Sequence, residues 1–188
     1  MNLPNKLTVI RIILVPVFLL FFYLTILPHN YFVALIVFAI ASLTDLYDGR
    51  IARQRGLVTN FGKLMDPLAD KVLVCAAFIA FVGVNFASAV AVIVIISREF
   101  LVTSLRLIAV ESGNVIAAGK LGKIKTVTQI VAILLILFLR EWLYLGLPLI
   151  GETLAGILSG IGVWVATFFT VVSGVEYVVQ NRKYINMK

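Results

Sequence analysis

The chain contains four aspartates, and all of them lie within one stretch of 26 residues, at Asp45, Asp48, Asp66 and Asp70. Carboxylates held close together repel one another, and in an apolar setting some would take up protons unless a cation neutralised them. Oxygen ligands without His or Cys are those that hard divalent cations prefer. Four such groups can share two ions, an arrangement that serves phosphoryl chemistry. The stretch therefore predicts two bound Mg²⁺ or Mn²⁺ ions. A cation pathway or a proton relay is the open alternative.

The residues around the aspartates indicate a phosphate-containing substrate. Gly49 and Ala52 follow Asp45 by four and seven residues, and Gly62 precedes the third aspartate by four, so each small residue shares a helix face with a carboxylate. Small residues leave room for a substrate, although in membranes they also let helices pack closely. Arg53 falls on the face of Asp45 and can bind a phosphate through its guanidinium fork. A simple ion pore has no use for such a group.

The elements that carry these residues are predicted to be membrane helices. The chain has 188 residues and is 62% hydrophobic and 13% charged, which is too apolar for a soluble domain of this length. Six apolar stretches of membrane-spanning length occupy residues 8–27, 31–52, 62–84, 87–111, 121–139 and 154–177. Each should be a helix, because a backbone in lipid must satisfy its own hydrogen bonds. We expect a single domain, 1–188, with the fold of an all-α integral membrane protein with six transmembrane helices.

The aspartates fall at the ends of two neighbouring predicted helices. Asp45 and Asp48 lie near the end of the second apolar stretch, and Asp66 and Asp70 lie near the start of the third. Pro67 suits a first helical turn, which does not need its N–H. The short connection should place the two helices side by side and antiparallel. The four carboxylates are then expected to converge at one membrane surface.

The basic residues indicate which surface this is. By the positive-inside rule, both termini and the aspartates should lie in the cytoplasm, because the opposite side carries only Arg140. Part of the net charge of +7 serves this orientation and attracts anionic headgroups, so we expect no nucleic-acid partner. The basic residues assigned to the cytoplasmic side are Lys6, Arg11, Arg50, Arg53, Arg55, Lys63, Lys120, Lys123, Lys125, Arg182, Lys183 and Lys188.

A second set of cations predicts a pocket for an anionic acceptor. Arg98 and Arg106 are eight residues apart on one face of the fourth predicted helix, inside an apolar stretch. Three lysines follow in the next connection: Lys120, Lys123 and Lys125. Together they could attract and bind a phosphate. Two alternatives stay open, namely that Glu99 is a local partner of Arg98 and that the lysines belong to a solvated loop.

The segment "DLYDGRIARQRGLVTNFGKLMDPLAD" resembles the signature of the CDP-alcohol phosphatidyltransferase family, D-x2-D-G-x2-A-R-x8-G-x3-D-x3-D. It matches at every fixed position, and the matching residues are Asp45, Asp48, Gly49, Ala52, Arg53, Gly62, Asp66 and Asp70. The family has a six-helix membrane fold, so the resemblance extends over essentially the whole chain.

The resemblance implies transfer of a phosphatidyl group from a CDP-lipid to an alcohol, with release of CMP, by a homodimer that uses two divalent ions. Asp45, Asp48 and Asp66 would then be metal ligands. Asp70 would lie at the second ion and also accept the proton of the attacking hydroxyl.

The same resemblance assigns the remaining motif residues to the CDP-lipid. Gly49, Ala52 and Gly62 would make room for the cytidine, and Arg53 would contact its phosphates.

Further segments resemble the glycerol-3-phosphate branch of this family: "MNLPNKLTVIRI", "MDPLADK", "SREFLVTSLR" and "GKIKT". The implied reaction joins CDP-diacylglycerol and glycerol 3-phosphate, whose phosphate would account for the extra basic residues. Thr8 and Arg11 are further candidates for lining the site. The alternatives are another branch (cardiolipin, phosphatidylserine or phosphatidylinositol-phosphate synthesis) and, from a different class, a divalent-cation transporter.

Two other features allow more than one interpretation. Gly156 and Gly160 form a GxxxG step that would serve either dimerisation or packing within one subunit. His29 is interpreted as a polar loop residue at the outer surface.

Overall fold

The computed structural model describes the backbone of residues 3–55, 60–111 and 119–182, and within these the side chains of residues 9–44, 71–107, 109 and 119–182. These residues form six α-helices and no strand, which confirms the predicted all-helical class. The helices are α1 (Leu3–Tyr23), α2 (Asn30–Arg55), α3 (Asn60–Gly83), α4 (Ala89–Glu111), α5 (Lys120–Tyr144) and α6 (Glu152–Gln180). Each predicted apolar stretch coincides with one helix.

Two helix boundaries differ from the predicted ones, because a helix and an apolar stretch need not end at the same residue. α1 ends at Tyr23 rather than near residue 27, and the chain turns before Pro28. α5 continues to Tyr144, five residues beyond the apolar stretch, because Arg140 and Glu141 are both accommodated in the helix. Apolarity marks the part of a helix that packs or faces lipid, whereas the backbone hydrogen bonds set its length.

An aromatic cluster holds α1, α2 and α3 together. Phe18 and Phe22 of α1 meet Phe38 of α2 and Phe81 of α3, with ring centroids 5.8 Å apart for Phe18–Phe38 and 5.5 Å for Phe22–Phe81. All four rings are buried. Such rings bury large apolar areas and favour tilted pairs of this kind. The cluster therefore fixes the mutual placement of the two helices that carry the aspartates.

The other helices complete an up-and-down bundle. α5 packs against α6 and α2, and α4 packs against α6 and α3. The C-terminal part of α5 contacts the N-terminal part of α2 through Glu141, and α4 and α6 run in the same direction, because Arg98 meets Ser173 and Arg106 meets Tyr177. We call the end of the bundle where α2, α4 and α6 finish the motif end, and the other end the outer end.

Apolar and polar residues are placed differently from those of a soluble protein. On α6, Ile161, Trp164, Phe168, Val175 and Val179 are each more than half exposed. The buried set, by contrast, includes polar and charged residues: Arg11, Asn30, Glu99, Lys125, Gln129, Glu141, Ser159, Thr167, Thr170 and Ser173. An apolar surface of this extent is unfavourable in water and marks contact with another apolar phase.

Two helices of the described part of the chain, α5 and α6, are both long enough and apolar enough to cross a membrane. The described apolar stretches of α1, α2 and α3 are shorter, at Val9–Tyr23, Asn30–Thr44 and Lys71–Gly83. α4 carries four charged residues within its length, Arg98, Glu99, Arg106 and, at its last position, Glu111.

Candidate active site

The motif residues lie on two consecutive helices. Asp45, Asp48, Gly49, Ala52 and Arg53 belong to the C-terminal part of α2, and Gly62, Asp66 and Asp70 belong to the N-terminal part of α3. The side chains of these residues are not among those that the structure describes. The assignment of these residues as metal ligands, base and CDP-lipid contacts therefore stays a prediction. The side chain of Thr8 lies outside the described ones as well.

The helix positions agree with convergence of the carboxylates. Asp45 and Asp48 are three apart in one helix, and Asp66 and Asp70 are four apart in the next, so each pair shares a face. Four residues separate the end of α2 from the start of α3, so the two helix ends can be at most about 18 Å apart. The two helices also contact each other. Both aspartate pairs therefore belong to the motif end.

A group of buried and partly buried charged residues lies at the same end, and we call Arg98, Glu99, Arg106 and Lys125 the basic cluster. The Lys125 ammonium forms an ion pair with Glu99 Oε1. The guanidinium of Arg98 lies 3.5 Å from that same oxygen through Nη1 and donates a 3.0 Å hydrogen bond through Nη2 to Ser173 Oγ. Glu99 and Lys125 are each only 5% exposed. Three helices thus contribute to one network.

Arg106 extends the cluster by two helical turns. Its guanidinium carbon lies 5.5 Å from the centre of the buried Tyr177 ring on α6, a cation–π arrangement. Arg98 and Arg106 therefore both face α6, as their spacing of eight residues predicts. Two guanidinium groups on one partly buried face are suited to bind an anion with several oxygens.

A small cavity connects the basic cluster to α3. Its volume is about 20 Å³, which is room for about one water molecule. The lining residues are Lys71, Val74, Glu99, Lys125, Thr126 and Gln129. Lys71 directly follows Asp70 in the chain. The cavity thus lies between the aspartate-bearing helix and the cluster.

The structure separates the predicted acceptor residues into two groups. Arg98, Arg106 and Lys125 come together in the basic cluster, whereas Lys120 and Lys123 are exposed in the first turn of α5. Glu99 is a partner of Arg98, as one of the open alternatives held. Arg11 is buried in the N-terminal half of α1, towards the motif end.

Sequence reasoning missed the polar residues of α6 and the link between Glu99 and Lys125. Gln129 Nε2 donates a 3.0 Å hydrogen bond to Thr170 Oγ1, and Ser173 Oγ donates one of 3.1 Å to the Thr170 carbonyl oxygen. The available signal was the repeat of polar residues every three or four positions along an otherwise apolar helix, which marks the buried face. That face is formed by Thr167, Thr170, Ser173, Gly174 and Tyr177.

At the outer end, His29 is more than a polar loop residue. Its Nδ1 lies 2.6 Å from Glu141 Oε1, and Glu141 Oε2 accepts a 3.2 Å hydrogen bond from the Phe32 N–H. Among the described side chains, no three His, Cys, Asp or Glu residues gather as a metal site, and the four aspartates are not among them.

The GxxxG step faces away from the described bundle. A Cβ atom on Gly156 or Gly160 would meet nothing within 4 Å, so close packing within the subunit does not explain these glycines. The glycine at which α5 and α6 do pack closely is Gly162, whose added Cβ would lie 3.4 Å from Leu135 Cδ2.

Comparison with known proteins extends over nearly the whole chain. The sequence model of the CDP-alcohol phosphatidyltransferase family matches residues 1–174. A CDP-diacylglycerol–glycerol-3-phosphate 3-phosphatidyltransferase of Bacillus subtilis is 46% identical over 96% of this chain and 95% of its own length. A protein of the same name from Rickettsia bellii is 36% identical, with 97% of each chain covered. A probable phosphatidylglycerophosphate synthase of Mycobacterium tuberculosis is 38% identical over 94% of this chain and 80% of its own length.

Proposed function

Because the chain belongs to the CDP-alcohol phosphatidyltransferase family, we propose that it transfers the phosphatidyl group of CDP-diacylglycerol to sn-glycerol 3-phosphate. The products are phosphatidylglycerophosphate and CMP, and the reaction belongs to phospholipid biosynthesis. The relatives that carry the name of this activity match the chain almost from end to end. The structural observation that supports a phosphate-bearing acceptor is the basic cluster, buried or partly buried beside the aspartate-bearing helix α3.

The aspartates fit a pair of divalent cations. Asp45, Asp48, Asp66 and Asp70 offer only oxygen donors, which suits Mg²⁺ or Mn²⁺, and they lie towards the motif end of two helices that contact each other. When bound there, two such ions supply charge neutralisation for the diphosphate and for the departing CMP.

The reaction needs one proton transfer, which we assign to Asp70. Its carboxylate accepts the proton of a glycerol hydroxyl while the oxygen attacks the phosphorus that carries diacylglycerol. A new P–O bond to glycerol forms, and the bond between that phosphorus and the CMP oxygen breaks. The CDP-lipid is held by Arg53, which contacts its phosphates, and by the room that Gly49, Ala52 and Gly62 leave for cytidine.

The acceptor phosphate binds Arg98, Arg106 and Lys125 in this proposal. Lys125 is buried and both arginines are partly buried at the motif end, where a setting less polar than water strengthens their attraction for an anion. Lys120 and Lys123 are exposed nearby and attract the anionic acceptor from solution. Thr8 and Arg11 are further candidates for lining the site from α1.

We place the enzyme in the cytoplasmic membrane, with six spans and with both termini and the site on the cytoplasmic side. The lengths of α5 and α6, the apolar outer surface and the basic residues of the motif end support this arrangement. The enzyme acts as a homodimer in this proposal, and the outward-facing Gly156 and Gly160 offer a surface for close helix contact.

The proposal is tested with purified protein in lipid nanodiscs that contain CDP-diacylglycerol. CMP release is measured with glycerol 3-phosphate, phosphatidylglycerol, serine or inositol phosphate as the acceptor. We expect release with glycerol 3-phosphate above all. Turnover with another acceptor and none with glycerol 3-phosphate would assign the chain to another branch. Metal flux through vesicles without any CMP release would indicate a cation transporter.

A further inference from the structure

Glu99 is a buried carboxylate that the proposed reaction does not use. It lies on α4 inside the bundle and is 5% exposed. An ionised carboxylate in such a place is costly unless it is paired and hydrogen-bonded. Among the described side chains, Glu99 pairs with two cations from different helices, Arg98 and Lys125.

The two cations meet at one atom. Both the Lys125 ammonium and Arg98 Nη1 approach Glu99 Oε1. Without a shared anion, an ammonium and a guanidinium this near would repel each other. The carboxylate therefore sets the separation of two positive groups that belong to α4 and α5.

Arg98 is also fixed from the side of α6. Its Nη2 donates to Ser173 Oγ, and its stem packs so closely on Gly174 that a Cβ there would lie 3.0 Å from Arg98 Cγ. A guanidinium held by a carboxylate, a hydroxyl and a helix backbone has little freedom to reorient. Binding to a group already held in position loses less entropy than binding to a mobile one.

We propose that Glu99 is a positioning residue of the acceptor site, which holds Lys125 and Arg98 at the spacing that the acceptor phosphate requires. The inference rests on the proposed function, because it takes these two cations as the phosphate ligands. Glu99 touches neither the reacting atoms nor the CDP-lipid. Its effect is on the affinity for an anionic acceptor.

A purely structural tie between helices is the competing explanation, and Glu141 provides the matched control. Glu141 is also a buried carboxylate, 6% exposed, and it joins α5 to α2 at the outer end through His29 and the Phe32 N–H. Glu99→Gln and Glu141→Gln make the same chemical change at opposite ends of the bundle.

The experiment measures steady-state CMP release in nanodiscs, with glycerol 3-phosphate and CDP-diacylglycerol each varied in turn. We expect Glu99→Gln to raise the KM for glycerol 3-phosphate about tenfold, the factor that corresponds to about 1.4 kcal/mol. The KM for CDP-diacylglycerol and kcat should stay within about twofold, a split that a loss of ground-state acceptor binding predicts. Glu141→Gln should lower the melting temperature and leave both KM values unchanged.

A second variant and a second readout keep the test decisive if Glu99→Gln folds poorly. Ser173→Ala removes the α6 contact of Arg98 and leaves the carboxylate, so we expect a rise of about threefold in the KM for glycerol 3-phosphate. The rise in melting temperature that glycerol 3-phosphate causes in the wild type should shrink in both variants.

An unchanged or lowered KM for glycerol 3-phosphate in Glu99→Gln and Ser173→Ala, with an active wild type, overturns this inference alone. A lowered value would show that Glu99 competes with the acceptor. A wild type that does not turn over glycerol 3-phosphate overturns the proposed function, and the inference with it.

Discussion

Arg98 and Arg106 lie on one face of α4, and both contact α6, but through different chemistry. Arg98 uses two nitrogens of its fork, one towards Glu99 and one towards Ser173. Arg106 contacts the face of the Tyr177 ring. A lysine can replace a positive charge over a ring, but it cannot reproduce the planar fork. The two arginines should therefore respond differently to the same substitution.

We expect Arg98→Lys to raise the KM for glycerol 3-phosphate about tenfold, because one ammonium cannot bind Glu99, Ser173 and a phosphate in the same geometry. Arg106→Lys, the matched control, should raise it about threefold or less, since a lysine retains the charge over the ring. Both values come from initial rates of CMP release. Equal effects of the two substitutions would contradict the distinction.

We expect Asp70→Asn to lower kcat by at least about 100-fold, because the amide cannot accept the proton of the attacking hydroxyl. The protein should still fold, and its melting temperature provides the check. Glu176→Gln is the control: it makes the same change near the motif end, at a side chain that accepts a 3.2 Å hydrogen bond from Gln180. Normal turnover by Asp70→Asn would remove the assignment of the base.

At the scale of the helices, contacts between distant segments hold the site together. The aromatic cluster joins α1 to the two aspartate-bearing helices, and Glu141 joins α5 to α2 at the outer end. The α5–α6 pair supplies Lys125 and the polar face that supports Arg98. The spacing of α5 and α6 should therefore influence the acceptor site.

We expect Gly162→Leu to destabilise the fold by about 1–3 kcal/mol, because a side chain at this position would push Leu135 and Ala132 of α5 away from α6. Thermal unfolding in detergent measures the effect. Gly156→Leu is the matched control on the same helix, where a Cβ meets nothing within 4 Å, and it should leave the melting temperature of the monomer unchanged. A larger loss at Gly156 than at Gly162 would contradict the packing described above.

At the scale of the whole molecule, the described residues form an apolar exterior around a core that is mostly apolar but also holds buried polar and charged residues. Such a molecule suits a reaction at a membrane surface, because the acyl chains of a CDP-lipid can stay in hydrocarbon while its diphosphate meets a soluble acceptor at the motif end. The same end carries the four aspartates on α2 and α3.

Chelation should abolish turnover by the whole enzyme. We expect EDTA to stop CMP release and either Mg²⁺ or Mn²⁺ to restore it, because the aspartates and the diphosphate are all anionic and repel one another without bound cations. Metal addition should also raise the melting temperature of the wild type, since a ligand that binds the native state stabilises it. The rise should be smaller in Asp66→Asn. Full activity in excess chelator would exclude the metal site.

The family, the six helices and the aspartate motif could be predicted from the sequence, because each depends on spacing within one segment. A helix needs local backbone hydrogen bonds and an apolar stretch of sufficient length, and the signature occupies 26 consecutive residues. Arg98 and Arg106 were placed on one face correctly for the same reason, since the period of a helix fixes their directions.

Only the tertiary structure decided which charged groups meet and which glycines pack. Lys125 and Glu99 are 26 residues apart, Arg98 and Ser173 are 75 apart, and Glu141 and His29 are 112 apart. Gly156 and Gly162 lie on one helix, yet only Gly162 has a neighbour from α5 within 4 Å of its added Cβ. Spacing along a chain determines the face of a helix, but the partner of that face depends on how separate helices pack.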